Sequence, residues 1–273
     1  MQPVIAATAL SFTSDQQQVF GPLNLAVDAG KLCLITAENA SGKSSLLLAL
    51  SGRLQGVKGK LLINGVNAQT SPYKAIAQTS IAQLGNYIAP EDRLTVAEAI
   101  ADRAYIDGIT VETAFRRFEH LSRVMGFSLA ENAKLESYDL LTQRWLSVVL
   151  AVLRPAKAVF LDDADTDLTP AQATTLYQLL LKLAEAEEMA VIASGKLLSC
   201  APAGTLYLQL ASKQQSPVPY QSLDTEKLTE KTSAAPESMP LSQLPDNEAL
   251  LKDDLTAQPD AMASENALPN EKK

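Results

Sequence analysis

Ala37-Glu38-Asn39-Ala40-Ser41-Gly42-Lys43-Ser44 is the stretch on which the fold of this chain turns. Before it, residues 32–36 form a nearly continuous apolar run, as expected for a strand buried on both faces. After it, Lys43–Leu50 has a helical pattern, with Gly52 just beyond, where helices often stop. A loop of small residues between a buried strand and a helix N-terminus is suited to phosphate. Backbone N–H groups point at the anion, and the helix dipole favours it. The residues assigned to this cradle are Ala37, Glu38, Asn39, Ala40, Ser41, Gly42, Lys43, Ser44 and Ser45. The spacing gives Lys43 reach to the β- and γ-phosphates of a nucleotide and Ser44 a hydroxyl for Mg2+. Ala37 stands where such loops usually begin with glycine. Alanine at 37 and 40 tolerates positive φ less well, so reduced nucleotide affinity is expected. The relaxed pattern arises by chance in roughly 1–2% of chains of this length. Its strand–loop–helix setting makes an ordinary surface lysine the weaker reading.

Outward from the loop, apolar runs alternate with helical patterns. Ala158–Leu161 reads as another buried strand. Thr169-Pro170-Ala171-Gln172 reads as a helix N-cap, a first-turn proline and a capping-box glutamine, opening a helix to about residue 187. Residues 190–193 and 206–210 read as further strands, and residues 94–154 are mostly helical in pattern. The expectation is an α/β fold: a parallel sheet with a helical insertion and no internal repeat.

The 273 residues carry 23 Lys and Arg against 31 Asp and Glu, a net charge of −8. Binding to phosphate backbones draws its affinity from Lys and Arg, so nucleic-acid binding is disfavoured. Cys33 and Cys200 are too few for a disulfide framework or a cysteine zinc site, which suggests a reduced, cytosolic setting. The start MQPVIAATAL lacks the basic region of a signal peptide. The apolar runs at 46–50 and 148–153 fall far short of the roughly 20 residues a membrane helix needs. Any membrane connection is therefore expected through a partner. Residues 213–273 hold seven of the 14 prolines, 11 acidic and 6 basic residues, and a single aromatic, Tyr220. This stretch reads as a disordered acidic tail that buries too little apolar surface to offset its ordering entropy, leaving residues 1–212 as the folded domain.

Further motifs accompany the loop. Gly59-Lys60-Leu61-Leu62-Ile63-Asn64-Gly65 has a "GxhxhxG" hairpin pattern, Leu94-Thr95-Val96-Ala97-Glu98 reads "LTVxE", and Val159-Phe160-Leu161-Asp162-Asp163 is an apolar strand ending in two carboxylates. With the segment VFGPLNLAVDAGKLCLI before the loop, the chain over roughly residues 4–210 resembles the ATP-binding subunit of ABC transporters. The resemblance implies a P-loop NTPase core of ABC type with a parallel sheet, an antiparallel β subdomain and a helical subdomain at about 88–155. It implies ATP and Mg2+ as cofactors. The implied partners are a polytopic membrane subunit and a second ATP-binding subunit, in a homo- or heterodimer at the inner face of the cell membrane.

Residue by residue, the resemblance places Asp162 on the Mg2+ side and Asp163 where the family carries its catalytic glutamate. It places Asn86 where a glutamine is expected, with Gln83 as an off-register alternative. The family's "LSGGQ" falls on Tyr138-Asp139-Leu140-Leu141-Thr142, its D-loop aspartate on Thr169 and its switch histidine on Gly195. The only histidine, His120, lies in the helical insertion. Asp163 is one methylene shorter than glutamate, and a misplacement of about 1 Å can cost on the order of 10²-fold in rate. It remains a candidate base or a vestigial polar group. In a composite dimeric site, Asp163 and Gly195 weaken one active site and Leu140 and Leu141 obstruct the other, so slow hydrolysis is expected. A non-catalytic regulatory or structural module is the alternative. A GTPase is disfavoured because no NKxD motif occurs. Phe12 is a weak candidate for stacking on the base; the family aromatic falls nearer Ser14.

Overall fold

The computed structural model describes residues 2–37, 41–85 and 87–210, together with the backbone of residues 221–222. In chain order the elements are β1 (Ile5–Ser14), β2 (Gln17–Val27), β3 (Lys31–Thr36), α1 (Lys43–Leu50), β4 (Lys58–Ile63), β5 (Val66–Asn67), α2 (Pro72–Ile76) and β6 (Thr79–Gln83). Then follow α3 (Val96–Asp107), α4 (Val111–Met125), α5 (Leu140–Ala151), β7 (Ala158–Leu161), α6 (Pro170–Ala186), β8 (Ala190–Ser194), β9 (Leu206–Gln209) and β10 (Gln221–Ser222).

Two sheets result. The first is antiparallel, in the order β2-β1-β4-β5. The second runs β10-β9-β3-β8-β7-β6 and is parallel from β9 to β6, with β10 antiparallel at its edge. The central strands are short and apolar throughout: β7 and β8 are buried at every position. That is the pattern of a parallel sheet covered on both faces. One core packs α3–α6 against one face, around Leu34, Ile100, Leu121, Val149, Leu161 and Leu180. The other packs α1 and the antiparallel sheet against the opposite face, around Ile5, Leu25, Ile35, Leu47, Ile63 and Phe160. The fold is the α/β P-loop arrangement that the sequence suggested.

Local chemistry sets the helix ends. Thr95 and Glu98 form a reciprocal capping box on α3, and Thr169 and Gln172 form one on α6. Gly108 and Gly126 close α3 and α4 in the left-handed conformation. Helix α5 is buried from Trp145 to Ala151, which accounts for its nearly unbroken apolar run. No described helix is long and apolar enough to cross a membrane. Cys33 is fully buried, and desolvation pushes its thiol up to about 12, the behaviour of a small inert hydrophobe.

A charged seam joins the α3–α5 insertion to the sheet. Asp107 of α3 faces Arg103 at 2.7 Å and Arg154 at 3.7 Å. Arg154 also donates to the carbonyls of Ala77 and Thr79, and Arg53 donates to Thr79 Oγ1 at 2.6 Å. Burial, then the neighbouring Arg154 and Arg103, push the Arg53 guanidinium down to about 10, with Asp107 opposing.

Of the 213–273 segment, only the Gln221–Ser222 backbone is described, paired with β9. The rest, including the stretch taken for a disordered tail, lies outside the described residues.

Candidate functional site

Strands β3, β8 and β7 are consecutive neighbours, and their C-terminal ends meet at one edge. In parallel α/β sheets the crevice outside the carboxyl ends of the strands is where ligands bind. Ile35 is in register with Ser194, and Ala193 with Leu161. This register brings the loop after β3, the end of β8 and the Asp162-Asp163 pair together.

The helix α1 starts at Lys43, immediately after Gly42, whose φ is +87°. A Cβ at Gly42 would lie 2.6 Å from the carbonyl oxygen of Val19 in β2. Glycine is required here twice over, by the left-handed backbone and by the contact with β2. Among the described residues no side chain caps this helix end, which leaves its first N–H groups to an anion. Lys43 is 8% exposed, and its side chain turns back along the loop, with Nζ 3.4 Å from the carbonyl oxygen of Ala37. Ser41 Oγ is buried without a hydrogen-bond partner among the described residues. An orphaned hydroxyl in a loop of this kind suits an absent acceptor such as a phosphate oxygen.

The three groups beside the loop are tightly coupled. Ser44 Oγ donates to Asp162 Oδ2 at 2.5 Å, and Ser194 Oγ donates to Asp162 Oδ1 at 2.5 Å. The backbone N–H of Asp163 donates to Ser194 Oγ at 2.7 Å and to Asp162 Oδ1 at 3.1 Å. Asp162 is completely buried, and its three hydrogen-bond donors offset its desolvation. A hydroxyl and a carboxylate oxygen side by side are the hard donors Mg2+ takes from protein when phosphate oxygens and water complete its shell. The pair therefore fits Mg2+. Asp163 has φ +47°, a left-handed conformation uncommon outside glycine but tolerated by aspartate.

A cleft of about 610 Å³ opens over these groups, lined by Ser41, Gly42, Lys43, Ser44, Ser45 and Asp163, and by the β1–β2 hairpin through Ser14, Asp15, Gln17, Gln18 and Val19. Phe12 is not in this lining; it packs against Phe20, with ring centroids 6.1 Å apart. The hairpin wall is polar, and no aromatic ring among the cleft residues offers a stacking face.

The structure thus unites Ser41, Gly42, Lys43, Ser44, Ser45, Asp162 and Asp163, with Ala37 at the loop's entrance. Glu38, Asn39, Ala40 and Asn86 lie outside the described residues. Asp139 is the N-cap of α5, accepting from the N–H of Thr142 at 2.7 Å, with Leu140 and Leu141 as the first helical residues. Thr169 is a helix cap. His120 lies on α4, half exposed, beside Glu187.

Sequence reasoning missed four contributors. Ser194 ties Asp162 to Asp163, and Asp165 and Tyr177 fix the loop after β8. Arg144 of α5 is the fourth. Burial lowers its guanidinium's pKa, and the charges of Asp163, Asp167, Asp165 and Asp162 oppose that shift. Its Nε has no hydrogen-bond partner among the described residues. The signal for Arg144 was its place one turn into α5, just past Thr142; nothing local marked the others.

A phosphate loop at the C-terminal edge of a parallel sheet, with a buried serine–carboxylate pair beside it, defines a P-loop nucleotide-binding protein. Residues 20–166, more than half of the chain, match the family model for the ABC transporter domain. The chain belongs to the ABC transporter family of ATP-binding proteins. Among curated relatives, the cytochrome c biogenesis ATP-binding export protein CcmA of Xanthomonas campestris pv. campestris is 43% identical over 67 residues, which are 24% of this chain and 31% of CcmA. The nucleoside import ATP-binding protein NupA of Lactococcus lactis subsp. cremoris is 27% identical over 179 residues, 64% of this chain and 35% of NupA. The chain spans about a third of the length of these relatives. Among solved structures, cbiO1 from Clostridium perfringens, part of the cbiONQ transporter complex, superposes with a TM-score of 0.69 at 14% identity, covering 85% of this chain and 92% of that one. A dimeric ATP-binding cassette bound to ADP and phosphate superposes with a TM-score of 0.64 at 15% identity, covering 81% and 99%.

Proposed function

We propose that this chain is an ABC transporter ATP-binding subunit that holds Mg·ATP and hydrolyses it slowly. It docks on a polytopic membrane-spanning partner at the cytoplasmic face of the membrane and pairs with a second ATP-binding subunit. The observation that carries the binding half is the Ser44–Asp162 contact at 2.5 Å beside Lys43 at an uncapped helix N-terminus. In this reading, Lys43 and the first N–H groups of α1 hold the phosphates, and Ser44 and Asp162 hold Mg2+. Bound Mg2+ would supply charge neutralisation at the phosphates. Asp163 is the candidate that orients the attacking water.

Three features support slow chemistry. Asp163 is short and held in a left-handed backbone, Gly195 brings no side chain, and Leu140 and Leu141 place bulk where a partner's phosphates would approach. The second reading, a non-catalytic regulatory or structural module, is favoured by the same Gly195, because its surroundings leave no room for a side chain. Turnover in the presence of the partner separates the two.

The binding test is isothermal titration of Mg·ATP into the full chain, with Lys43→Ala for comparison. Hydrogen bonds to charged groups contribute about 1.5–3 kcal/mol, so the variant is expected to bind roughly 10–100-fold more weakly. Absence of heat from the wild type at millimolar nucleotide would sink the binding claim.

A further inference from the structure

The strand β8 lies between β3 and β7, so the loop that follows it emerges between the phosphate loop and the Asp162-Asp163 pair. A wall of the cleft is expected from such a loop. Yet residues 195–197 contribute nothing to the cleft lining.

Their backbone N–H groups face inward instead. The N–H of Gly195 donates to the carbonyl of Ile35 in β3 at 3.0 Å. The N–H of Lys196 donates to Asp165 Oδ2 at 2.7 Å, and that of Leu197 to the same oxygen at 2.5 Å. Tyr177 Oη of α6 donates a third hydrogen bond to this oxygen at 2.9 Å. Asp165 is 4% exposed and Tyr177 is fully buried. Consecutive backbone N–H groups converging on one oxygen form the kind of nest that binds anions. Here the anion is the chain's own carboxylate.

The space above Gly195 is also filled. A Cβ there would lie 2.3 Å from Tyr177 Oη and 3.1 Å from Asp165 Oδ2. The glycine is required by the close approach of the tyrosine, since its φ is not in the left-handed region.

We propose that Asp165 and Tyr177 are positioning residues that lock the 195–197 loop as an internal anion clamp, so that this loop does not distinguish a nucleoside triphosphate from a diphosphate. This rests on the nucleotide reading of the cleft. The two N–H groups that a terminal phosphate could recruit are already satisfied by Asp165. Exchanging that carboxylate for a phosphate oxygen would leave a buried carboxylate oxygen with Tyr177 Oη in place of three donors. The loop therefore stays in one conformation whether the cleft holds nothing, ADP or ATP.

The test is hydrogen–deuterium exchange on the full chain, following peptides over residues 194–200 and 41–50, without nucleotide, with Mg·ADP and with Mg·ATP. The variants are Asp165→Ala, Asp165→Asn and Tyr177→Phe. In the wild type, residues 194–200 are expected to exchange equally in all three states, while residues 41–50 gain protection from either nucleotide. Asp165→Ala should speed exchange at 196 and 197 about tenfold or more, since it removes the acceptor of both amides. Asp165→Asn, which keeps a carbonyl oxygen, should restore most of the protection, and Tyr177→Phe should fall between. A purely structural role would lower the melting temperature without opening a difference between ATP and ADP at residues 194–200; the clamp predicts that Asp165→Ala opens one. Protection of wild-type residues 194–200 by ATP but not ADP would overturn the proposal, as would unchanged exchange in Asp165→Ala. If neither nucleotide protects residues 41–50, the nucleotide reading fails by itself, and the exchange rates of the variants still decide the clamp.

Discussion

Gly195→Ala is expected to destabilise the full chain by about 2–3 kcal/mol, at the upper part of the range for overpacking a core. For a domain of this size that corresponds to a fall of roughly 4–12 °C in Tm. The added methyl would sit 2.3 Å from Tyr177 Oη. The tyrosine cannot swing away cheaply, because its ring is fully buried and its hydroxyl is tied to Asp165. Gly195→His should cost more and should not raise turnover, even beside Asp163→Glu. A histidine placed at the family's position collides with the group that fills it. The two positions must change together, so the check is a double-mutant cycle by thermal unfolding with Gly195→Ala and Tyr177→Phe. The double variant should be more stable than the sum of the singles predicts by about 1 kcal/mol or more, within the usual range for residues in contact. A Gly195→Ala protein that melts within a degree of wild type would show that the pocket yields.

Asp162→Ala should have an effect of similar size, on stability and on metal dependence together. Removing the carboxylate strips the acceptor from the hydroxyls of Ser44 and Ser194 and leaves the Asp163 N–H with one partner instead of two. Each buried donor left unsatisfied costs about 1–3 kcal/mol. The serines can rotate toward other acceptors, so a net loss on the order of 3 kcal/mol is expected. Asp162→Asn keeps an acceptor oxygen and should lose less. In titrations, wild-type affinity for ATP should drop when Mg2+ is chelated, and the Asp162→Ala protein should bind ATP equally with and without the metal. An undiminished Mg2+ effect in that variant would remove Asp162 from the metal site.

The sequence was most informative where function sits on local geometry. The extent of α1, the β7 strand and the Thr169–Gln172 capping box follow from residues within a few positions of one another, and the structure reproduces each. The Ser44–Asp162 contact was legible for a different reason: it joins positions 118 apart in the chain, but both belong to motifs recognisable separately. The clamp had no such signature. Asp165, Tyr177 and Gly195 come from a loop, a helix and a strand end, and only the packing of α6 against the sheet brings them together. Gly195 was visible as a missing histidine, but not as a residue whose absent side chain makes room for a tyrosine. Phe12 failed as a stacking candidate because it packs against Phe20, and the register irregularity between Phe12 and Thr13 breaks the alternation that would put Phe12 on the face of Ser14, which lines the cleft. Asp139, read only as part of a motif departure, has a plain structural duty as the cap of α5, which depends on where that helix begins.

The central claim is that the chain keeps the groups that hold Mg·ATP and lacks those that hydrolyse it quickly. Steady-state phosphate release by the full chain, co-purified with its membrane partner in lipid vesicles, tests this most directly. The expected rate lies below the usual enzyme range of about 1–10³ s⁻¹, with little gain from Asp163→Glu alone because catalytic groups that act as a unit are not additive. A wild-type rate inside that range, abolished by Lys43→Ala, would contradict the claim and show that other groups perform the work assigned in the family to the glutamate, the histidine and the signature glycines.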